Sequence, residues 1–320
     1  MAGPAAGRRG VPGGVTLGVF APAKINLYLH VVGLRADGYH LLDSLVAFAD
    51  IGDRVGVAPA ESLSLAVSGP EAGAIAGLGD DNLVMRAARL FASQAVAKVP
   101  GAPPFGAALH LEKNLPAASG IGGGSSDAAA ALRALDRLWH RPLGSGALAA
   151  LALRLGADTP ACLAARPVWV GGIGERIEPA AGLPTAGIVL ANPRRALPTA
   201  GVFAARRGAF AAGGRFDPMP PDAAGLAGVL TARRNDLTEA ALTLLPDIAR
   251  VLERLARLPG ALIARMSGSG ATCFALFGDR AAALDAGAAL ARAEPSWWSA
   301  AGALMNAAPP VDEDCAQPGG

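Results

Sequence analysis

The amino-acid sequence predicts an α+β protein with two domains. Its 320 residues, of which 52% are hydrophobic and 17% are charged, are enough for two hydrophobic cores. Stretches with strand and helix periodicity are mixed without a regular βαβ alternation, which indicates α+β. Past Ala165 the pattern changes to short strands and turns, so we predict domains at residues 15–166 and 167–306. The flanking segments 1–14 and 307–320 are rich in Gly and Pro and are predicted to be disordered.

Charge and cysteine content argue against several classes of protein. A net charge of +2 creates no long-range field that favours nucleic acid or a membrane as a partner. No stretch reaches the ~20 apolar residues of a membrane span, and residues 1–14 lack the apolar run of a signal peptide. Cys162, Cys273 and Cys315 are far apart and lack metal-ligand spacing. These features predict a reduced, cytoplasmic protein.

Lysine is rare in this sequence. Only Lys24, Lys98 and Lys113 occur among 28 basic residues. Because an ammonium and a guanidinium differ in size and geometry, a lysine kept in an arginine-rich chain indicates a position that arginine would not serve.

Residues 24–32 alternate in polarity as a β-strand does. One face is apolar, and the other carries four polar side chains: Lys24, Asn26, Tyr28 and His30. These residue types often bind ligands, whereas an ordinary wet face more often carries Thr, Glu and Arg. A solvent-exposed face of an antiparallel sheet is the alternative interpretation.

A turn follows this strand at residues 33–38, where Asp37-Gly38 is a strong hairpin signal. Tyr39 and His40 begin the returning strand. An aromatic ring beside an imidazole can stack on a planar ring and hydrogen-bond its edge, so the two residues are candidates for binding such a ring. Simple packing of the turn is the alternative. We expect residues 50–53 to close the hairpin and a further strand to begin at Arg54.

A glycine-rich loop between a strand at 107–112 and a helix that begins at Ser125–Ser126 is the strongest functional signal. Free N–H groups and the positive end of the helix dipole, beside glycines that permit close approach, favour a phosphate group. The helix is supported by apolar residues at helical spacing, namely Ala128, Leu132, Leu135 and Trp139. The lysine of a Walker A loop and the dinucleotide-binding pattern are both missing. A flexible connector is the alternative.

Asp158 lies in the stretch 156–160, between a helix at 148–155 and Pro160. The simplest interpretation is that it caps the helix whose start Pro160 marks. A capping aspartate can also accept a proton from a hydroxyl if the geometry favours it, so Asp158 is a candidate general base.

The remaining elements are assigned from apolar spacing and from turn residues. A helix is expected at 82–97 and another near Thr199, with an exposed loop at 208–224. The other expected elements are strands at 168–170 and 187–191, a helical stretch at 235–258 interrupted at Pro246, a strand at 261–266, a second glycine turn at 267–272, a strand at 273–277 and a helix at 279–293.

Three of these stretches together resemble the three motifs of the GHMP kinase family, in order and spacing. They are Pro22-Ala23-Lys24-Ile25-Asn26-Leu27, the loop 116–126 and Ser267-Gly268-Ser269-Gly270-Ala271-Thr272. Asp37-Gly38-Tyr39-His40 and Gly156-Ala157-Asp158-Thr159-Pro160 resemble the branch that acts on a substrate carrying cytidine diphosphate. The resemblance extends over residues 15–305.

The resemblance implies two α+β lobes with the active site in the cleft between them. It implies transfer of the γ-phosphate of ATP, with Mg²⁺, to a hydroxyl of a small molecule that bears a cytidine diphosphate group. It makes residues 15–166 the ATP-binding domain. Because no metal-ligand cluster is visible in the sequence, Mg²⁺ is expected to bind mainly to the phosphates of ATP.

By position in the motifs, Lys24 and Asp158 would be catalytic, and Asn26, Tyr39, His40 and Phe203 would bind the substrate. The ATP phosphates would be held by the whole loop: Pro116, Ala117, Ala118, Ser119, Gly120, Ile121, Gly122, Gly123, Gly124, Ser125 and Ser126. The second glycine turn would close over the phosphates. Two alternatives stay open: another small-molecule kinase of this fold, of the homoserine or mevalonate type, and a catalytically silent member that only binds nucleotide or a partner.

Overall fold

A computed structural model describes residues 16–98, 106–140 and 143–313 of the chain. Within these ranges the chain forms eleven β-strands: β1 (Leu17–Leu34), β2 (His40–Pro59), β3 (Ser64–Ser68), β4 (Ala107–Glu112), β5 (Val168–Gly172), β6 (Arg176–Pro179), β7 (Gly187–Asn192), β8 (Ile263–Met266), β9 (Cys273–Phe277), β10 (Trp298–Met305) and β11 (Val311–Glu313). The same ranges contain nine α-helices: α1 (Leu83–Lys98), α2 (Gly123–Leu138), α3 (Ser145–Leu155), α4 (Thr159–Ala164), α5 (Thr199–Ala205), α6 (Ala223–Thr231), α7 (Thr238–Leu244), α8 (Asp247–Ala256) and α9 (Arg280–Ala293).

The described strands form one connected sheet. Its main path is β11-β1-β2-β10-β7-β9-β8, while β4 and β5 also pair with β2 and carry β3 and β6. Strand β10 joins the two halves, because Leu304 and Met305 pair with β2 while residues 298–303 pair with β7. A largely antiparallel sheet with helices packed against it confirms the predicted α+β class.

Helices cover both halves of the sheet. In the first half, α1, α2 and α3 pack with β1, β2 and β4 around a core that includes Phe91, Leu132 and Leu135. In the second half, α8 and α9 pack with β7 and β9 around Ile248 and Phe277. The helix predicted after the glycine loop therefore buries the apolar face that its spacing indicates. No helix in the described part of the chain has the length and apolar character needed to cross a membrane.

The pairing of β1 with β2 contains a bulge that changes the predicted polar face. Asn26 pairs with Val46 and Tyr28 pairs with Leu45, so Leu27 is an extra residue in β1. An extra residue moves every later side chain to the opposite face of the sheet. Lys24 and Asn26 consequently lie on one face, while Tyr28 and His30 lie on the other. The expectation of a single polar face is wrong, because the bulge divides it.

Strand β2 is longer than the sequence indicates. Residues 50–53 were expected to close the hairpin, but β2 continues through them to Pro59. The register shifts within this stretch, because Pro22 pairs with Gly52 whereas Ala23 pairs with Ala49. Because β2 continues, it reaches β4, which leads the chain into the glycine loop.

Strand pairing also modifies the predicted ends of the domains. The segment 307–320 was predicted to be disordered, but Val311–Glu313 forms β11, which pairs with Leu17–Val19 at the sheet edge. Pairing along a sheet edge satisfies backbone groups and is invisible in composition. Strands β5 and β6 extend the first half of the sheet beyond residue 166. The division into 15–166 and 167–306 stays a prediction, and residues 1–14 and 314–320 lie outside the described part of the chain.

Candidate active site

A cleft of about 750 Å³ brings together side chains from distant parts of the sequence. Strand β1 contributes Lys24 and Asn26, and the start of α4 contributes Asp158. The hairpin contributes Tyr39 and His40, and α5 contributes Phe203. The cleft thus contains every catalytic and substrate-binding residue that the sequence predicts.

The glycine loop lines this cleft with part of its length. The seven predicted residues on the cleft surface are Ala118, Ser119, Gly120, Gly122, Gly123, Gly124 and Ser125. Ile121 is instead buried in the core, and Ser126 donates a hydrogen bond from Oγ to the carbonyl oxygen of Pro22 at 2.7 Å. Pro116 and Ala117 are not among the residues of the cleft surface.

Helix α2 begins at Gly123, two residues earlier than predicted, and runs for 16 residues. Gly122 is the N-cap residue and has a φ of 63°, which glycine adopts readily. No side chain caps the start of α2. The first N–H groups of a helix have no intrahelical acceptor. Since Gly123, Gly124 and Ser125 line the cleft, the positive end of α2 faces a volume where an anion can bind.

The three motifs are joined to one another by backbone hydrogen bonds. Lys24 N donates to Ile121 O at 2.9 Å, and Thr272 N donates to Ser119 O at 3.0 Å. The Ser267 hydroxyl accepts a hydrogen bond from Asn26 N at 3.1 Å and donates one to the carbonyl oxygen of Gly120 at 3.2 Å. The second glycine turn therefore packs against the first loop, with Gly268 and Ser269 reaching the cleft surface.

This contact between the two glycine turns leaves no room for a side chain at Gly120. Its φ is 77°, and a Cβ there would lie 2.5 Å from Gly270 O and 2.6 Å from Ser267 O. Both atoms belong to backbone and cannot move away cheaply.

We expect Gly120→Ala to weaken ATP binding by about tenfold or more and to lower stability, because strained backbone of this kind costs about 1–3 kcal/mol. Calorimetric titration with ATP and a thermal melt measure the two effects. Gly146→Ala is the matched control, since Gly146 lies in helix α3 and a Cβ there meets nothing within 4 Å. Unchanged ATP affinity in Gly120→Ala would show that the loop geometry does not matter for ATP.

Lys24 and Asp158 form an ion pair in the cleft. Lys24 Nζ donates to Asp158 Oδ1 at 2.7 Å. The lysine side chain is 4% exposed, whereas the aspartate side chain is 52% exposed. The second oxygen of Asp158 therefore remains open to a ligand while the first is held by the ammonium.

Asp158 occupies the N-cap position of α4, as the simplest sequence interpretation expected. Its side chain, however, makes no capping hydrogen bond to the helix. Asp222 and Asp279 show the contrast, because each accepts a backbone N–H three residues later. The carboxylate of Asp158 is committed to Lys24 instead of to the helix.

Asn26 offers an unused acceptor beside this pair. Its side chain is 4% exposed, and Nδ2 donates to Ser44 Oγ at 2.8 Å. Its Oδ1 has no hydrogen-bond partner, although buried polar atoms normally have one. This oxygen is shielded from solvent, so a bound molecule reaches it only if neighbouring atoms move.

The hairpin end of the cleft contains two aromatic rings in contact. The His40 and Phe203 ring centroids are 5.2 Å apart, with 32° between the ring planes. Burial, followed by the positive charge of Arg206, lowers the pKa of His40 below its ordinary value. Tyr39 is 59% exposed at the rim, where the guanidinium of Arg35 lies 5.5 Å from its ring centroid.

Several residues of the site carry no sequence signal that we used. Ser44 lies outside every predicted motif and accepts a hydrogen bond from Asn26 Nδ2. Arg265 donates from Nη1 to the carbonyl oxygen of Leu27 at 2.9 Å and so holds the β1 bulge in place. None of these could be found by motif or spacing, because each depends on which strands are neighbours.

The chain is similar to known proteins over most of its length. Residues 82–166 match the model described as "GHMP kinases N terminal domain", and residues 222–295 match "GHMP kinases C terminal". A protein of Cereibacter sphaeroides named 4-diphosphocytidyl-2-C-methyl-D-erythritol kinase is 54% identical over 87% of this chain and 96% of its own length. The chain belongs to the GHMP kinase family. The resemblance predicted from the three motifs is thereby confirmed.

Other members of the GHMP kinase family are similar to this chain in sequence or in structure. A protein of the same name from Paramagnetospirillum magneticum is 51% identical over 89% of this chain and 98% of its own. A crystal structure of 4-(cytidine 5'-diphospho)-2C-methyl-D-erythritol kinase has a TM-score of 0.70 and 37% identity, covering 90% of this chain and 98% of that one. Homoserine kinase from Cytophaga hutchinsonii, at 19% identity and a TM-score of 0.68, covers 93% and 97% and shows the shared fold alone.

Proposed function

We propose that this chain is an ATP-dependent kinase that phosphorylates the 2-hydroxyl of 4-diphosphocytidyl-2-C-methyl-D-erythritol on the non-mevalonate route to isoprenoid precursors. The names of the relatives supply the substrate. The observation that carries the proposal is the 2.7 Å contact between Lys24 Nζ and Asp158 Oδ1 in a cleft that the glycine loop also lines. Phosphoryl transfer requires positioning and positive charge near the transferred group, and this cleft offers both.

In the proposed mechanism, the hydroxyl oxygen of the substrate attacks the γ-phosphorus of ATP. The free oxygen of Asp158 accepts the proton that this hydroxyl loses. Lys24 holds the carboxylate in position through the other oxygen and places one positive charge beside the transferred phosphoryl group. The N–H groups at the start of α2 bind phosphate oxygens. The bond from the γ-phosphorus to the bridging oxygen breaks, and ADP leaves with that oxygen.

Mg²⁺ is part of the proposal as the companion of ATP. The described residues contain no group of three His, Cys, Asp or Glu side chains that could hold a metal ion. Mg²⁺ often keeps waters and phosphate oxygens as ligands and needs few from the protein. The ion would neutralise phosphate charge, and the chain itself would contribute the positive charges of Lys24 and of the N-terminal end of α2.

The cytoplasmic location predicted from cysteine content remains part of the proposal. Cys162 and Cys273 are free and buried.

The cytosine ring is proposed to bind at the hairpin end of the cleft, against His40 and Phe203. A base stacked on an aromatic ring gains about 1–3 kcal/mol. A neutral imidazole has one donor and one acceptor nitrogen, and the acceptor suits the amino group of cytosine, which uracil lacks. Tyr39 would border the same ring at the rim. Asn26, which lines the same cleft, would also contact the substrate.

The charge state of His40 gives a pH prediction. Because burial and Arg206 lower the pKa of His40, the neutral form persists below about pH 6.5, the ordinary histidine pKa. We expect KM for the cytidylyl substrate to stay flat down to that pH and to rise as His40 gains a proton at lower pH. In Arg206→Gln the pKa of His40 should increase, so the rise in KM should begin at a higher pH.

An NMR titration of the His40 ring measures that pKa directly, alongside KM. Arg206→Lys is the matched control, since it keeps the positive charge and should keep the lowered pKa. An identical KM profile in Arg206→Gln, with a demonstrably raised His40 pKa, would remove His40 from cytosine recognition.

One assay tests the proposed function as a whole. ADP release from Mg·ATP is measured with 4-diphosphocytidyl-2-C-methyl-D-erythritol, with homoserine and with mevalonate. We expect turnover with the first compound and a kcat/KM lower by at least about 10³-fold with the other two, because neither fills the hairpin end of the cleft. Turnover with homoserine or mevalonate would select another kinase of this fold. No turnover with any of the three, in a chain that binds ATP, would select the catalytically silent alternative.

A further inference from the structure

Three buried charged side chains lie behind the glycine loop, on the side away from the cleft surface. Lys113 Nζ donates to Asp127 Oδ2 at 2.9 Å and also to Asp53 Oδ2. The side chains of Lys113, Asp53 and Asp127 are 3%, 0% and 3% exposed. We call these three residues the buried triad. Burial of charges is costly unless they are paired, so a triad in this position requires an explanation.

The buried triad connects the chain segments that deliver and receive the glycine loop. Asp53 lies on β2, Lys113 directly follows β4, and Asp127 lies near the start of α2. The second oxygen of Asp53 accepts the backbone N–H groups of Asn114 and Leu115 at 2.5 and 2.8 Å. One set of side chains therefore fixes both the entry into the loop and the helix at its exit.

The ammonium of this triad is in direct contact with the start of α2. A Cβ at Gly123 would lie 3.1 Å from Lys113 Nζ and 3.8 Å from Asp53 Oδ2. Gly123 also lines the cleft. Gly123 therefore lies between the buried ammonium and the cleft surface. A longer and wider guanidinium would not fit in the same space, which accounts for lysine in an arginine-rich chain.

The charges of the triad do not balance if all three groups are ionised. Two carboxylates face one ammonium, and Asp127 Oδ1 has no hydrogen-bond partner. Burial, opposed by Lys113 and reinforced by the like charge of Asp53, raises the pKa of Asp127 well above its ordinary value. Without Lys113, two buried carboxyl groups would remain next to a site that must accept the negative charge of ATP, and whichever of them stays ionised would oppose that charge.

We propose that Lys113 is a positioning residue for ATP, which holds the junction of the glycine loop and α2 from behind and offsets the carboxylates of Asp53 and Asp127. Lys113 does not contact ATP in this arrangement. Its effect passes through the backbone of Gly123 and through the charge beneath it. The inference rests on the proposed function in one respect, namely that ATP is the anion at the loop.

Calorimetric titration with Mg·ATP tests the proposal in wild type, Lys113→Met, Asp127→Asn and the double variant. We expect Lys113→Met to raise Kd for ATP at least about tenfold, while Asp127→Asn changes it less than about threefold. The double variant should bind ATP at least about threefold more tightly than Lys113→Met, because it leaves one carboxyl group that can ionise instead of two. Loss of packing alone would make the double variant no better than Lys113→Met.

Steady-state kinetics and a charge control complete the experiment. KM for ATP should follow Kd, while KM for the cytidylyl substrate should change less than about twofold in the folded variants. Arg137→Met removes one positive charge near the other end of α2, at an exposed position, and should leave Kd for ATP unchanged.

The proposal is overturned if folded Lys113→Met binds ATP like wild type, or if Asp127→Asn fails to rescue it. If Lys113→Met does not fold, the double variant is compared with Asp127→Asn, and equal Kd values for ATP overturn the proposal. A wild-type chain that binds no ATP would instead remove the proposed function, so the two failures can be told apart.

Discussion

Asp158→Asn is expected to lower kcat by about 10²–10⁴-fold, the usual contribution of a positioned general base. An amide is isosteric with the carboxylate but cannot accept the hydroxyl proton. Affinity for both substrates should change little, because Asn still accepts a hydrogen bond from Lys24. The start of α4 should be unaffected, since Asp158 makes no side-chain cap there. Single-turnover measurement of ADP formation reports the chemical step directly.

The control for this variant is Asp222→Asn. Asp222 also stands at a helix start, where its Oδ1 accepts the N–H of Gly225 at 2.7 Å, and it is not among the residues of the cleft surface. Asparagine caps helices about as well as aspartate, so both activity and stability should be near wild type. If Asp158→Asn turned over as fast as Asp222→Asn, the carboxylate of Asp158 would have no part in the chemistry.

Lys24→Met is expected to lower kcat by about 10²–10³-fold, since it removes a charge beside the transferred phosphoryl group and the contact that orients Asp158. The chain should still fold. Breaking a fully buried pair costs about 3–5 kcal/mol, but here the surviving partner is 52% exposed and is solvated in the cleft. The same substitution at Lys113 would leave two fully buried carboxyl groups without their partner, so its cost in stability should be larger.

A double-variant cycle tests whether the two residues act as one unit. Lys24→Met combined with Asp158→Asn should lower kcat by much less than the product of the two single effects. Pre-steady-state kinetics on the four chains gives the coupling. Fully multiplicative effects would mean that Lys24 acts on the phosphates independently, and that its contact with Asp158 is incidental to the reaction.

The rigid position of Lys24 explains how the exposed carboxylate of Asp158 keeps a fixed orientation toward a ligand. Lys24 lies on β1, and its own backbone N–H donates a hydrogen bond to the carbonyl oxygen of Ile121 in the glycine loop. The lysine and the loop thus form one rigid unit, to which Asp158 is tied by its Oδ1. Preorganised charge of this kind acts without reorganisation during the reaction. The packing of the two glycine turns at Gly120 and Gly268 also restricts movement of the glycine loop.

The sequence alone predicts the α+β class, most helices and strands, the kinase family and the candidate catalytic and substrate-binding residues that lie in the cleft. These features are carried by local signals: apolar spacing, glycines at turns, and short motifs whose residue types are fixed by chemistry. Helix α2, the break at Pro246 between α7 and α8, and strand β4 followed directly from such signals. The rarity of lysine also pointed to Lys24 and Lys113, which are both buried and paired.

How those parts face one another is set by contacts between distant segments of the chain. The bulge at Leu27 separates Tyr28 and His30 from Lys24 and Asn26, and the carbonyl oxygen of Leu27 accepts a hydrogen bond from Arg265, 238 residues further along the chain. The buried triad joins Asp53, Lys113 and Asp127, which no motif connects. Periodicity reports the local direction of a side chain, whereas one extra residue in a strand or one charge from a distant strand changes its surroundings completely. Contacts of that kind form only when the chain has folded.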